Sequence, residues 1–280
     1  MPETLSAAGS RDLALVADCA RCVGLCCVAL AFVRSADFAV SKPAGEPCTN
    51  LEDDYRCRIH PALRDRGFKG CTVFDCRGAG QKVTEMFGSR SWRSDAEARA
   101  SMFKVFPVVR QLHDMLWFLH SVSKRRETAP ISEALDAMYR EIDAITEDPA
   151  DVLIGTDVEQ VRQRVNEILR TASELVRASD AGKRARLPKK VRAGADLIGA
   201  RLARLDLRGA DLRGALLIAA DLSGSDLRNA DLIAADLRDA NLAGADLSSA
   251  IYVTQMQINA ANGDVHTKLP EGVDRPTHWK

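Results

Sequence analysis

Leucine returns every fifth residue eleven times without a gap, at Leu197, Leu202, Leu207, Leu212, Leu217, Leu222, Leu227, Leu232, Leu237, Leu242 and Leu247. Alanine stands two residues before most of them, at Ala195, Ala200, Ala210, Ala215, Ala220, Ala230, Ala235, Ala240 and Ala245, usually with Asp or Asn between. A period of five suits neither a helix nor a flat strand. It suits a coil that turns a corner every five residues. In extended backbone, residues two apart face the same way. Leu and the preceding Ala therefore face inward, the Asp between them faces out, and the remaining two positions make the corner. Four such sides close one turn, so eleven repeats make just under three turns, a rod roughly 13–14 Å tall at about 4.8 Å per turn. Each turn packs only on its neighbours, so both ends need covering.

Ala230-Asp231-Leu232-Ile233-Ala234 and Ala240-Asn241-Leu242-Ala243-Gly244 follow the pattern A-[D/N]-L-x-x, and residues 195–254 resemble the pentapeptide-repeat family. The resemblance implies a right-handed quadrilateral parallel β-helix, a solenoid that serves as an interaction surface and not as a catalytic pocket. Three positions depart from the pattern. Leu205 replaces the small inward residue and is expected to overfill its site at a cost of roughly 1–3 kcal/mol. Leu216 replaces the outward Asp, and Ser225 replaces Ala. The tail, 255–280, breaks the period; Tyr252, Leu269 and Trp279 are expected to cover the open end and block edge pairing. His278 is read as a tail residue beside Trp279. Some members of the family act on DNA gyrase by imitating duplex DNA. Here seven Arg against nine Asp between Val191 and Ala250 leave a net charge of only −2, so a DNA-mimicking topoisomerase modulator is the lesser alternative.

All eight cysteines lie near the other end, as Cys19-x2-Cys22-x3-Cys26-Cys27 and then Cys48-x8-Cys57-x13-Cys71-x4-Cys76. Thiolates are soft ligands, and four of them suit zinc or an iron–sulfur cluster. A turn at Gly24 is expected to bring the first four to one centre. Eight supply two four-thiolate sites, or one site with spares. The opposing reading is a small fold in which some cysteines are buried apolar residues or form disulfides. Arg21, Arg58 and Arg77 are expected to lower thiol pKa values, and His60 is a candidate ligand or outer-shell donor. The order Cys48-Thr49-Asn50-Leu51, Cys57-Arg58-Ile59-His60, Cys71 resembles the zinc- or iron-chelating cysteine-cluster domains. That resemblance implies bound zinc or iron and leaves the metal open.

Between these ends the sequence reads as helix. Apolar residues recur at helical spacing from Met102 through Phe106, Leu112 and Leu119, then at Leu135, Met138, Ile142 and Ile145, then from Val158 through Val165, Ile168 and Val176. Ser94 with Glu97 and Thr156 with Glu159 have the form of capping boxes. Pro107 is expected to kink or restart the first helix, and Gly182 to stop the last. Three amphipathic helices predict a hairpin or small bundle. The stripe Val161, Val165, Ile168, Leu175 is a candidate homodimer face. Gly78-Ala79-Gly80-Gln81 reads as a turn, since it lacks the Gly-Lys ending of a phosphate loop.

The fold class expected is therefore multi-domain: a Cys-rich α module (1–90), an α-helical segment (91–182), a basic linker (183–194), the coil (195–254) and a capping tail (255–280). Thirty-nine basic and 39 acidic residues cancel, which gives no electrostatic case for nucleic acid or an anionic membrane. The best apolar run, Val23–Val33, is far short of the roughly 20 residues a membrane helix needs. Residues 1–10 carry no basic n-region, and a cytoplasmic location is expected. No Ser/His/Asp or paired-carboxylate site stands out. The first expectation is a non-enzymatic scaffold with a structural zinc or iron site and a protein partner on the solenoid. The second is an iron–sulfur or thiol-based redox sensor or oxidoreductase.

Overall fold

A computed structural model describes residues 15–179 and 187–279. Residues 1–10, Gly182 and the basic residues 183–186 lie outside the described residues. Eight α-helices occur among those described: α1 (Leu25–Ala29), α2 (Lys69–Thr72), α3 (Ala79–Phe87), α4 (Ala96–Ser123), α5 (Ser132–Thr146), α6 (Ala150–Ile154), α7 (Val158–Ala178) and α8 (Gln255–Ala260). None is long and apolar enough to cross a membrane. The chain forms two compact units, Met1–His120 with Ala134–Asn166, and Ser121–Glu133 with Glu167–Lys280. The segment 91–182 thus contributes to both.

In the second unit the five-residue period becomes a four-sided coil. Asp196 bridges Leu216 and Leu216 bridges Asp236; Arg201, Asp221 and Asn241 form a second column, Asp206, Asp226 and Asp246 a third, and Asp211 and Asp231 a fourth. All these bridges are parallel and join residues twenty apart, which is four pentapeptides per turn. The expected extended sides are corrected in one respect: no continuous strand forms among the described residues. Each side is a single bridged residue followed by a turn. The Leu carbonyl accepts from the N–H three residues on, as in Ala200 N to Leu197 O at 3.0 Å. The third residue of each turn has positive φ at every fifth position from Gly194 to Gly244. That is a type II pattern, which favours Gly and Asn. A corner in every five residues leaves no length for a strand.

The leucine ladder is at most 2% exposed, and Ala210, Ala215, Ala220, Ala230, Ala240 and Ala245 are wholly buried beside it. Leu205 does not overfill the interior; it is half-buried and packs against the core from its edge. Leu216 points outward as expected, and Ser225 is buried with its hydroxyl donating to Leu222 O at 2.7 Å. Leu187 and Val191 pack on the same core, so the coil begins within the segment expected to be linker.

The tail does more than cap. Ile251, Asn262 and Lys268 add bridges to Asp231, Asn241 and Asp246, and α8 takes the place of the side that would pair with Asp236. Thr254 and Gln257 form a capping box at its start. The Gln257 amide then donates to Ala235 O, which has no further turn above it, at 2.9 Å, and to Leu232 O at 2.7 Å. Trp279 is buried, with its indole N–H on Ala261 O at 3.0 Å, and a Cβ on Gly263 would lie 2.5 Å from its ring.

One side of the coil is covered by the last turns of α7. The Asp231 carboxylate, at an outward position, is fully buried. It accepts from the Ser173 hydroxyl at 2.5 Å and Ile233 N at 2.9 Å, with Arg213 Nε at 3.6 Å. The Tyr252 hydroxyl donates to Leu169 O at 2.9 Å.

In the first unit, α4 buries Met102, Val105, Phe106, Val109, Leu112 and Leu116, α5 buries Leu135 and Ile142, and α7 buries Val161 and Val165. That last pair is taken up by the chain's own core, while Ile168 and Leu175 of the same stripe are half-buried. The caps fall one residue later than expected. Asp95, not Ser94, accepts from Glu97 N and Ala98 N at 2.9 Å, and Asp157, not Thr156, accepts from Gln160 N at 3.0 Å. A carboxylate held at a helix N-terminus also meets the positive end of the dipole. α4 runs through Pro107 without a restart.

Candidate thiol site

Two sets of local pins gather the cysteines. In the first, Cys19 opens a 3-10 turn, Cys22 N reaches Cys19 O at 3.5 Å, and Gly24 takes φ +70° to start α1, which carries Cys26 and Cys27. Glycine suits that corner, where φ is positive and a Cβ would stand 2.9 Å from Leu51 Cδ1 and 3.3 Å from Tyr55 O. α3 holds Cys76 against this segment. Asp18 N donates to Gln81 Oε1 at 2.9 Å, Gln81 Nε2 to Val16 O at 2.7 Å, and Val23 N to Thr84 Oγ1 at 3.1 Å, while Arg21 pairs with Glu85. Cys22 and Cys76 meet across Gly80, where a Cβ would stand 2.7 Å from Cys22 Sγ and 3.7 Å from Cys76 Sγ. The expected turn at 78–81 is therefore a turn at Gly78 alone, with Ala79, Gly80 and Gln81 already in α3.

The second set hangs from Cys27. Cys48 N donates to Cys27 O at 3.0 Å, and an antiparallel bridge between Leu51 and Cys57 brings Cys57 alongside. Cys71 sits in α2, fixed by Gly70 N on Asp37 O at 2.9 Å and by the Phe38 ring under Gly70. Phe38 stacks on Phe32 at 4.5 Å, and Phe32 bridges Lys42. The Lys42 ammonium is buried on three carbonyls, those of Val28 (3.1 Å), Pro43 (2.9 Å) and Glu46 (2.8 Å). Neither Lys42 nor Gly80 nor Thr84 was marked by cysteine spacing.

Of the arginines expected to lower the thiols, Arg58 does so at Cys57, but burial outweighs it. Burial pushes Cys22, Cys57 and Cys76 up, and Cys71 up to about 12. Cys26 and Cys27 sulfurs lie 3.7 Å apart; the hydrogen bond Cys26 gives Cys27 raises the first and lowers the second, with Lys42 assisting. Arg77 is engaged elsewhere, over the Trp117 ring at 3.9 Å and paired with Asp75 at 3.3 Å. The His60 side chain is exposed in a 3-10 turn. His113 is buried with Nδ1 2.6 Å from Arg77 O.

Nearby backbone N–H groups offset part of the rise that burial causes: Gly24 and Leu25 at Cys22, Gly78 and Gly80 at Cys76, Ile59 at Cys57. A neutral thiol is a weak acceptor, so such donors suit thiolate. The eight cysteines are free. Among the described residues no group of three or more His, Cys, Asp or Glu side chains is arranged to hold a metal ion.

Comparison with known proteins decides the family through the other end of the chain. The family model for pentapeptide repeats matches residues 193–229 and 215–251, with eight copies. The chain belongs to the pentapeptide-repeat family. It is 55% identical over 267 residues to an uncharacterised protein of Bacillus subtilis (strain 168), YybG, covering 95% of both chains. Among solved structures it is similar to alr5209, a pentapeptide repeat protein from Nostoc (33% identity, 29% of this chain, 75% of that one, TM-score 0.16). It is similar also to AT2G44920, a pentapeptide repeat protein of the Arabidopsis thaliana thylakoid lumen (26% identity, 34% of this chain, 67% of that one, TM-score 0.17). The likeness to YybG runs over nearly the whole chain, so this pentapeptide-repeat protein shares with that relative far more than its repeats.

Proposed function

We propose that this pentapeptide-repeat protein is a scaffold: its cysteine unit holds zinc or iron as a structural centre, and its coil, wound right-handed, presents Asp and Arg faces to a protein partner. The observation that carries the metal reading is the approach of the Cys22 and Cys76 sulfurs, 54 residues apart in sequence, to one bare face of Gly80. Buried thiols with raised pKa values are inert acids on their own; a cation that takes up their charge makes that approach worthwhile. The ligands would be Cys19, Cys22, Cys26, Cys27, Cys48, Cys57, Cys71 and Cys76. A cytoplasmic, reducing setting keeps such thiols available. On the coil, outward Asp–Arg pairs such as Asp206–Arg208 (2.7 Å) and Asp226–Arg228 (2.6 Å) stack into a patterned charged face.

The test is elemental analysis with a visible spectrum on protein purified without oxygen. Near-stoichiometric zinc and no colour support the structural reading. Iron with acid-labile sulfide and a broad band near ~400 nm replace it with a redox centre. No metal with eight titratable thiols overturns the metal reading.

A further inference from the structure

We infer that the eight cysteines divide at the Cys26–Cys27 peptide bond into two four-thiol centres, Cys19/Cys22/Cys26/Cys76 and Cys27/Cys48/Cys57/Cys71, each suited to one zinc-sized divalent ion. This rests on the metal-binding reading above. The partition comes from how the backbone is pinned. α3 brings Cys76 to the Cys19–Cys26 segment through Gln81, Thr84 and the bare face of Gly80. Cys48, Cys57 and Cys71 are tied by separate contacts to Cys27 and to the Phe32–Lys42 pairing. The Cys22 and Cys76 sulfurs approach the same face of Gly80, whereas Cys48 is bonded through its N–H to Cys27 O and Cys57 is bridged to Leu51.

The two centres are built differently. The first packs its Cys22 and Cys76 sulfurs against the bare face of Gly80 in α3. The second has a buried ammonium beside it: Lys42 Nζ is held on the carbonyls of Val28, next to Cys27, and Glu46, two residues before Cys48. Four thiolates leave a zinc site doubly negative, and a fixed cation offsets part of that at one centre only. Lys42 is thus a positioning and charge-balancing residue of the second centre, not a ligand. With the Cys26 and Cys27 sulfurs 3.7 Å apart, the centres adjoin.

Titration of the anaerobically reduced full chain with cobalt(II) and zinc(II) separates the outcomes. Two equivalents are expected in the wild type, both with the intense sulfur-to-cobalt absorption of a four-thiolate ion. Cys19→Ser, at the exposed ligand, and Cys71→Ser are each expected to lose one equivalent and keep the other. Lys42→Met is expected to weaken one equivalent about 10–100-fold and leave the other unchanged, the usual size of an outer-shell effect. One equivalent in the wild type, or complete loss in both serine variants, would overturn the two-centre division while leaving metal binding standing. Equal weakening of both equivalents by Lys42→Met would overturn its assignment. No uptake by folded wild type would sink the parent reading and this one together.

Discussion

The coil and the thiol unit solve the same problem, holding a small-residue chain in one shape, by opposite means. In the coil, a residue's role follows from its position modulo five. Leu202, Leu222 and Leu242 stand in one column and are equally buried. In the thiol unit each role occurs once: Gly24, Gly70 and Gly80 make room for three different neighbours. Redundant geometry should make the effects of substitution transferable, and unique geometry should not. The sharpest test is Leu222→Ala, which removes a wholly buried side chain from the middle turn. It should cost about 2–5 kcal/mol in urea unfolding, with Leu202→Ala and Leu242→Ala inside the same range. A cost for Leu222→Ala under about 1 kcal/mol would mean that the turns relax around the hole and the ladder is not a packed core.

Next in size is the place where the period is overridden. Asp231 occupies an outward position, yet the last turns of α7 bury it, and burial raises its carboxyl to about 6. In the unfolded chain it titrates near 3.8. Between those values the folded form keeps a proton the unfolded form gives up, so stability falls as pH rises through that window and stays low above it. A shift of about two pH units is worth roughly 3 kcal/mol. Asp231→Asn should therefore stabilise the protein most at pH 8, less at pH 5 and little at pH 3.5. A constant difference across that range would show an Asp231 that stays ionised, held by Ser173, Ile233 N and Arg213.

The thiol unit gives the matching test of uniqueness. Gly80→Ala puts a methyl 2.7 Å from Cys22 Sγ, whereas at Gly88 a Cβ meets nothing within 4 Å and only the positive φ is unfavourable. Gly80→Ala should cost about 1–3 kcal/mol and change the reactivity of Cys22 and Cys76 toward a thiol reagent. Gly88→Ala should cost more than about 1 kcal/mol, because its positive φ disfavours alanine, and leave thiol reactivity unaltered. Equal thiol reactivity in the two variants would remove Gly80 from the site.

What could be read in the sequence divides along the same line. The column positions, the inward Leu and Ala and the outward Leu216 follow from period five alone. The tail did not, because α8 and the bridges at Asn262 and Lys268 depart from a spacing of twenty by one and two residues. The burial of Asp231 did not either, since the covering residues Leu169 and Ser173 carry no repeat signature. In the thiol unit the cysteine types and spacing nominate the residues, but their grouping depends on solitary long-range bonds such as Gln81 to Asp18 and Val16. A buried Lys42 held by three carbonyls has no local pattern at all.

The smallest effect tests local reading at its finest grain. Ser94 and Asp95 are both good capping residues, and spacing to Glu97 favours Ser94, since a capping box counts three residues on. The structure favours Asp95, whose carboxylate takes two N–H groups of α4 and the Arg90 guanidinium at 2.6 Å. Those bonds hold its pKa down to about 2, the arginine contributing most. Asp95→Ala should therefore destabilise the protein at pH 7, as loss of an N-cap does. Because a depressed carboxylate stabilises only while ionised, that cost should shrink as pH falls toward 2. Ser94→Ala should stay within about 0.5 kcal/mol, since its hydroxyl bonds only to Ser91. The reverse order would return the cap to Ser94 and make α4 start where its capping box, not its charge, dictates.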